Sequence, residues 1–137
     1  MDNKSLLEKF ETMQTCYLAT YDGEFPRVRP MILIQHEGRF WLATGTEDDK
    51  TLQIKNHPKV ALSVTLSEGD NESYVRIKGI AKHSQDPAER TAIWNIATYI
   101  SRYWDSPEHP GFGLVEVKPV AISYMAPNTT VEIDVEL

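Results

Sequence analysis

The stretch that decides the fold runs from position 27 to position 62 and reads RVRPMILIQHEGRFWLATGTEDDKTLQIKNHPKVAL. It opens with a strand on which Arg27 and Arg29 share one face, because side chains two positions apart on a strand point the same way. A second strand ends at Thr44, and Lys50 follows in the first turn of a predicted helix. Two guanidinium groups, a hydroxyl and an ammonium group near a helix N-terminus can hold a small anion against the wall of a β-barrel.

Strand and turn signals continue on both sides of this stretch. Turns such as Asp22-Gly23 separate short runs of β-branched and aromatic residues, as in antiparallel hairpins. Pro30 cannot donate a ladder hydrogen bond, so it marks an edge or a bulge. A polar loop is expected at 67–71, and Lys118-Pro119 separates the last two strands. Seven strands are predicted, at positions 15–21, 27–35, 40–43, 60–66, 74–83, 113–117 and 120–125.

Three helices are predicted around these strands. Asn3 can cap the first helix. Thr46 and Asp49 have the spacing of a capping box at the start of the second. The longest helix begins at Asp86-Pro87, with proline at its first position. The elements show antiparallel hairpins without βαβ alternation, so we expect a small, mainly β barrel with flanking helices.

The composition is typical of one globular domain spanning residues 1–137. Hydrophobic residues make up 41% and charged residues 25% of the chain. The formal charge of −6 disfavours a general nucleic-acid binder, so a phosphate site must be a local basic spot on an acidic surface. No apolar run approaches the roughly 20 residues that span a bilayer, and positions 1–5 lack a signal-peptide pattern. We expect a cytoplasmic protein without nucleic-acid or membrane partners.

Cysteine and histidine offer little chemistry. Cys16 is the only cysteine, so no disulfide can form within the chain, and we expect it to be a buried thiol. The four histidines have no ligand spacing, and no metal site is predicted. The sequence has neither a glycine-rich phosphate loop nor a Ser-His-Asp order, so hydrolase chemistry is not indicated.

The basic residues have ordinary explanations as well. Arg27 and Arg29 can be surface arginines that answer the many carboxylates of the chain, and Lys50 can be an exposed helical lysine. Asp48 and Asp49 stabilise the first turn of their helix, but they would repel a phosphate placed over that helix end. If phosphate binds there, these two side chains must turn away from it.

The ordered set of motifs resembles the flavin-binding segment of the pyridoxamine 5′-phosphate oxidase-like split-barrel proteins. That family holds the flavin with a strand arginine and the residues after it, a strand end containing threonine, a lysine six positions later and an Asn-Pro turn. The matching features here are Arg29-Pro30-Met31-Ile32, Thr44, Lys50 and the turn at Asn56-His57-Pro58. The Arg-Pro-Met form is most similar to the general-stress-protein branch.

The resemblance implies a six- or seven-stranded antiparallel split β-barrel of Greek-key type, with FMN bound at the interface of a homodimer. Arg27 and Lys50 would neutralise the phosphate, and Thr44, Thr46 and Thr51 would add hydrogen bonds. The backbone from Arg29 through Pro30 and Met31 to Ile32 would meet the ring edge. An aromatic residue from the second subunit often closes over the flavin in this family. Trp104, near the end of the longest helix, is our candidate for that residue, with core packing as the alternative.

Three departures from the family pattern argue against the activity of the true oxidases. Asp49 precedes the lysine where the true oxidases carry arginine, and Tyr74 stands near the place of their glutamine. Their C-terminal tryptophan and Arg-Leu segment have no counterpart in the acidic positions 129–137. Oxidation of pyridoxamine 5′-phosphate is therefore disfavoured.

No general acid or base is evident in the sequence. The sequence and the resemblance together predict an FMN-binding, flavin reductase-like oxidoreductase or flavin carrier, with a small-molecule electron donor or acceptor. One alternative is a split-barrel protein that binds haem or a deazaflavin. Another is an interaction protein of the same fold that has lost its cofactor.

Overall fold

The computed structural model describes residues 1–137 and contains seven β-strands, three α-helices and one 3₁₀ helix. The strands are β1 (Met13–Tyr21), β2 (Pro26–His36), β3 (Arg39–Gly45), β4 (Lys59–Glu68), β5 (Asn71–Ser84), β6 (Phe112–Met125) and β7 (Ile133–Asp134). The helices are α1 (Asn3–Leu7), α2 (Asp49–Asn56) and α3 (Pro87–Ile96), and the 3₁₀ helix is Thr98–Arg102.

Six strands form a closed antiparallel barrel. Hydrogen-bonded neighbours follow the order β3-β2-β1-β4-β5-β6, and β6 pairs with β3 to close the ring. The chain returns from β3 through α2 so that β4 lies beside β1, which is the Greek-key arrangement. β7 pairs with β6 outside the ring. The predicted fold class is confirmed, including the antiparallel barrel and its flanking helices.

The inner core follows from the period of two along the strands. In β4, Val60, Leu62, Val64 and Leu66 all point inward and are buried. Cys16 belongs to the same core, as expected, and burial raises the pKa of its thiol to about 12. Because the thiolate is the reactive form, this cysteine is a packing residue.

A second core lies between the barrel wall and the segment that contains α3 and the 3₁₀ helix. Asp86 caps α3 as predicted, accepting a hydrogen bond from the Ala88 N–H at 2.9 Å. This packing fixes the 3₁₀ helix beside β3. None of the helices is long and apolar enough to cross a membrane. The buried members of this core are Ile34, Trp41, Ala43, Ile93, Ala97, Ile100, Phe112 and Leu114.

Two helix starts differ from their predictions. Asp2, not Asn3, caps α1 through its side chain. Asp48, not Thr46, occupies the N-cap position of α2. The Thr46 hydroxyl donates instead to the Pro110 carbonyl at 3.0 Å. The predicted capping box is therefore wrong, because a loop after α3 comes close enough to bind that hydroxyl.

Two strand boundaries also differ. β4 and β5 meet at a tight turn in which Gly69 has a φ of +67°, so the expected polar loop is shorter than predicted. β6 continues through Pro119 as one strand. The register of its pairing with β5 shifts between Lys78 and Gly79. A Cβ atom at Gly79 would lie 2.7 Å from the Val117 Cγ1, so glycine permits the close approach that lets β6 run on.

β2 and β3 pair over only three residues, Ile34–His36 of β2. Beyond them the strands part, β2 remaining bonded to β1 and β3 to β6. We call the opening between Pro30–Ile32 and Ala43–Gly45 the split. Pro30 therefore lies on an edge, as predicted. Backbone groups along a strand edge are available to bind other molecules.

Candidate functional site

A cleft of about 500 Å³ opens at the split. Pro30–Ile32 form one wall and Ala43–Gly45 form the other. The remaining lining residues are Thr15, Asp48, Lys50, Tyr99, Tyr103 and Trp104. The volume lies in the range of pockets that hold small molecules and cofactors.

Aromatic residues close one side of the cleft. Tyr103 is 70% exposed, whereas Trp104 is half-buried and packs against the second core. The Trp94 indole N–H donates to the Trp104 carbonyl at 3.4 Å. Burial raises the pKa of Tyr99 to about 12, so its phenol stays neutral. The cleft thus offers flat, uncharged surfaces on this side.

The opposite end of the cleft is polar. Asp48 and Lys50 line both the cleft and an adjoining recess of about 510 Å³. The recess is lined by three basic and three acidic side chains and one amide: Arg27, Arg29, Lys50, Glu47, Asp48, Asp49 and Gln53. The expected local basic spot is therefore balanced in charge, because the turn into α2 brings three acids to the same place.

The Asp48 carboxylate lies among the donors that were expected to meet a phosphate. Its Oδ2 accepts from the Lys50 Nζ at 2.8 Å, the Gly45 backbone N–H at 3.1 Å and the Thr44 Oγ1 at 3.4 Å. The hydrogen bond from Lys50 is the main cause that holds the pKa of Asp48 below its usual value. In this structure the side chain therefore faces the cations, and a phosphate bound here would require it to turn away.

The two arginines of β2 have different surroundings. Arg29 is partly buried and donates to the Thr20 Oγ1 at 2.7 Å, the Leu18 carbonyl at 3.2 Å and the Gln53 Oε1 at 3.1 Å. Burial lowers the pKa of its guanidinium. These bonds tie β2 to β1 and α2. Arg27 is exposed and has one long contact with a carboxylate, 3.4 Å to Asp22, so it is freer to meet a ligand.

Two of the expected hydroxyls lie outside the cleft. Thr46 and Thr51 line a separate pocket of about 320 Å³. The Thr51 Oγ1 donates to the Gly45 carbonyl at 2.6 Å and lies 3.2 Å from the Thr44 Oγ1. It therefore shapes the turn that positions Thr44. The structure brings Pro30, Met31, Ile32, Thr44, Lys50 and Trp104 into the cleft and places Arg27 and Arg29 in the recess.

Sequence reasoning did not select several lining residues. Thr15 pairs with Ile32 across β1 and β2, so the register of that hairpin could have identified it. Tyr99 and Tyr103 belong to an aromatic cluster in the sequence, but only the 3₁₀ helix turns them toward the cleft. Trp104 lines the cleft of its own chain. A contact from the second subunit is therefore not required for it to reach a ligand in that cleft.

The chain matches a protein-family model over nearly its whole length. The model is described as pyridoxamine 5′-phosphate oxidase, and it matches residues 3–126. No curated protein matches the chain in sequence.

Several solved structures are similar. General Stress Protein 26 from Bacillus anthracis has a TM-score of 0.77 at 22% identity, with 96% of this chain and 97% of that chain covered. A FAD-binding protein from Mesorhizobium loti has a TM-score of 0.72 at 13% identity, with coverage of 90% and 92%. A heme-binding protein from Mycobacterium smegmatis has a TM-score of 0.75 at 13% identity, with coverage of 91% and 57%. At these identities the likeness concerns the fold.

Proposed function

Because the chain belongs to the pyridoxamine 5′-phosphate oxidase family, we propose that it binds a flavin, FMN, in the cleft at the split. One observation carries this proposal. The cleft has an apolar side, walled by a free strand edge and by aromatic side chains, and its polar end adjoins a recess in which Arg27, Arg29 and Lys50 lie beside three acids. FMN is divided in the same way, because it has a planar ring at one end and a phosphate at the other.

The cleft residues suit the parts of this ligand. Pro30–Ile32 offer backbone groups to the polar edge of the ring, since β2 has no partner strand on that side. Trp104 and Tyr103 offer faces for stacking. Lys50 and Arg27 line the recess that would hold the phosphate, and Thr44 lines the cleft beside it and would supply a hydroxyl.

We propose that the protein is a flavin reductase-like oxidoreductase or a flavin carrier. When bound, a flavin supplies hydride and electron transfer, while the protein supplies binding and orientation. The Tyr99 phenol, with a pKa of about 12, is a poor proton donor at neutral pH. Asp48 has a lowered pKa and is a poor general base. These residues favour a reaction that needs no strong acid or base from the protein.

The similarity to a heme-binding protein does not by itself favour haem here. No histidine lines the cleft, and Met31 is its only sulfur-containing side chain. Axial histidine ligation would have to come from outside the cleft.

We also propose a homodimer with the cleft near its interface. Tyr17 and Val28 on β1 and β2 are 53% and 66% exposed. Ile32 and Tyr103, which line the cleft, are exposed as well, and we define these four residues as the exposed apolar rim of the split. Large exposed apolar patches often mark interaction sites.

The visible spectrum of freshly purified protein tests the proposal first. A flavin spectrum is expected, whereas a Soret band would indicate haem. Apo-protein is then titrated with FMN, FAD and riboflavin while flavin fluorescence is followed. We expect FMN to bind more tightly than riboflavin, because charge-assisted hydrogen bonds to phosphate contribute roughly 1.5–3 kcal/mol each. Failure of all three flavins to bind would refute the proposed function.

A further inference from the structure

Three hydrogen-bond donors converge on one carboxylate oxygen at the polar end of the cleft. The Asp48 Oδ2 accepts from the Lys50 ammonium group, the Gly45 backbone N–H and the Thr44 hydroxyl. An ammonium group, a backbone N–H and a hydroxyl are also the donors that bind a phosphate oxygen. A side chain of the protein thus holds the position that an external anion would take.

Helix capping does not explain the position of this carboxylate. Asp48 stands at the N-cap of α2, but its side chain makes no capping hydrogen bond to the helix. An N-cap aspartate ordinarily accepts from the N–H groups of the first turn. Here the carboxylate points back across the turn to Gly45, toward the cleft.

The absence of a side chain at Gly45 leaves room for the Asp48 carboxylate in this position. A Cβ atom at Gly45 would lie 2.8 Å from the Asp48 Oδ1 and 3.0 Å from the Cγ. Gly45 is not among the residues with positive φ, so its backbone conformation is open to any residue. The small size of Gly45 therefore serves the close approach of the Asp48 carboxylate.

We propose that Asp48 is a specificity-determining residue, which limits how strongly the site prefers a phosphorylated flavin to an unphosphorylated one. The proposal rests on the proposed function and identifies which flavins the site accepts. A phosphate dianion only accepts hydrogen bonds, and it is repelled by the carboxylate. The terminal ribityl hydroxyl of riboflavin can donate to the same carboxylate. Asp48 thus favours a flavin that ends in a hydroxyl group, such as riboflavin, over a flavin that ends in a phosphate, such as FMN.

The charge balance of the recess supports the same conclusion. Arg27, Arg29 and Lys50 face Glu47, Asp48 and Asp49 there. Asp48 is the one acid of this set that forms an ion pair with Lys50. Replacing Asp48 with a neutral residue gives the recess a net positive charge. It also releases the three donors that the carboxylate binds, which are the Lys50 ammonium group, the Gly45 N–H and the Thr44 hydroxyl. Neutralising Asp49 changes the net charge equally but frees no donor, which makes it the matched control.

The experiment compares wild type with Asp48→Asn, Asp48→Ser and Asp49→Asn. Asparagine and serine are both good N-cap residues, so the two Asp48 variants should keep α2 intact. Dissociation constants for FMN and riboflavin are measured by flavin fluorescence. We expect both Asp48 variants to bind FMN about three- to ten-fold more tightly, with no gain for riboflavin. Asp49→Asn reports the effect of the charge alone and should tighten FMN binding less than either Asp48 variant, and the gain at Asp48 should shrink at high salt.

A second measurement separates this inference from the proposed function. The melting temperature of each protein is followed with increasing inorganic phosphate. We expect phosphate to stabilise the Asp48 variants more than wild type or Asp49→Asn, whether or not flavin binds. If no flavin binds but this phosphate effect is present, the proposed function fails and with it the role of Asp48 in flavin selection; only the exclusion of a phosphate anion by Asp48 stands. If the Asp48 variants gain affinity for neither FMN nor phosphate, or gain equally for both flavins, the inference is overturned.

Discussion

The Trp104 indole stacks on the Phe112 ring, with centroids 5.5 Å apart and planes inclined by 29°. Phe112 is buried at the start of β6, and the Arg90 guanidinium lies 4.6 Å from its ring centroid. The indole is therefore held against a rigid element while it lines the cleft. A side chain fixed in this way can bind a flat ligand without losing further freedom.

Trp104→Ala should weaken FMN binding about three- to twelve-fold, since aromatic stacking contributes roughly 0.5–1.5 kcal/mol beyond area burial. Trp104→Phe should retain most of the affinity. Trp94→Ala is the control, because Trp94 packs on the second core and does not line the cleft. It should lower the melting temperature without a selective effect on flavin. Normal FMN binding by Trp104→Ala, combined with early melting, would identify Trp104 as a packing residue only.

Arg39 joins three elements and should matter for stability. Its guanidinium donates to both oxygens of Glu116 at 2.8 Å, pairs with Glu89 at 2.7 Å and lies 4.5 Å from the centre of the Trp41 ring. Arg39→Met leaves the well-buried Glu116 carboxylate unpaired and should cost about 1.5–3 kcal/mol of unfolding free energy in urea titrations.

Two variants control for this result. Arg39→Lys should give a partial loss, because lysine cannot form the two parallel bonds. Arg76→Met removes the exposed Arg76–Glu132 pair and should cost less than about 1 kcal/mol. Equal losses of unfolding free energy in Arg39→Met and Arg76→Met would contradict the stabilising role given to Arg39.

Glu68 should make stability depend on acid pH. Its hydrogen bond from Lys9, above all, lowers the pKa of the carboxyl from 4.5 to about 2 in the folded protein. The Tyr124 hydroxyl donates to the same group. Since the folded pKa is depressed, the stabilisation is complete above about pH 4.5 and is lost as pH falls toward about 2.

Melting curves of wild type and Glu68→Gln should therefore differ most at neutral pH and converge near pH 2. Glu72→Gln, at an exposed position near the start of β5, is the control and should follow wild type throughout. A difference between wild type and Glu68→Gln that is independent of pH would show that the ion pair is not its source.

The homodimer should be visible by sedimentation at micromolar concentration. Val28→Glu places a charge on the exposed apolar rim of the split and should favour the monomer. If the cleft is shared between subunits, the same variant should also bind FMN more weakly. A wild-type monomer that holds FMN would contradict the shared-site proposal.

Pyridoxamine 5′-phosphate should not be a substrate. The C-terminal segment pairs with the opposite end of the chain, where the Glu136 N–H donates to the Met1 carbonyl and the Asn3 N–H donates to the Glu136 carbonyl. No residue beyond Trp104 lines the cleft. In a steady-state oxidase assay of FMN-loaded protein, turnover should stay well below about 1 s⁻¹. A rate at or above that value would show that another part of the chain binds this substrate.

The barrel was largely predictable because its evidence is local. Alternating apolar residues and Asp-Gly or Glu-Gly turns specify each hairpin, whereas the Greek-key return that places β4 beside β1 was expected only from the family resemblance. The unbroken β6 was not predictable from Lys118-Pro119 alone, since it depends on Gly79 in the neighbouring strand. Proline signals an interruption locally, and only the partner strand decides whether pairing resumes.

Part of the lining of the candidate cleft was expected as well, but from the resemblance to the family and not from local strand and turn signals. Register along β2 and the end of β3 brought Pro30–Ile32, Thr44 and Lys50 to one cleft. The directions of Thr46, Thr51 and Asp48 depend on the geometry of the turn between β3 and α2, and on a loop after α3. Such contacts join residues that are distant in sequence, so the periodicity of the sequence does not predict them.

The closure of the barrel by β3 and β6 has a consequence for how the protein folds. Arg39 and Glu116, which meet across this seam, are 77 residues apart in sequence. Contacts of such long separation are slow to form, because much of the chain must be ordered before they bring any gain. We therefore expect the hairpins to form early and the contacts between β3 and β6 to form late. Since one wall of the cleft belongs to β3, we expect the cleft to be complete only after the ring has closed.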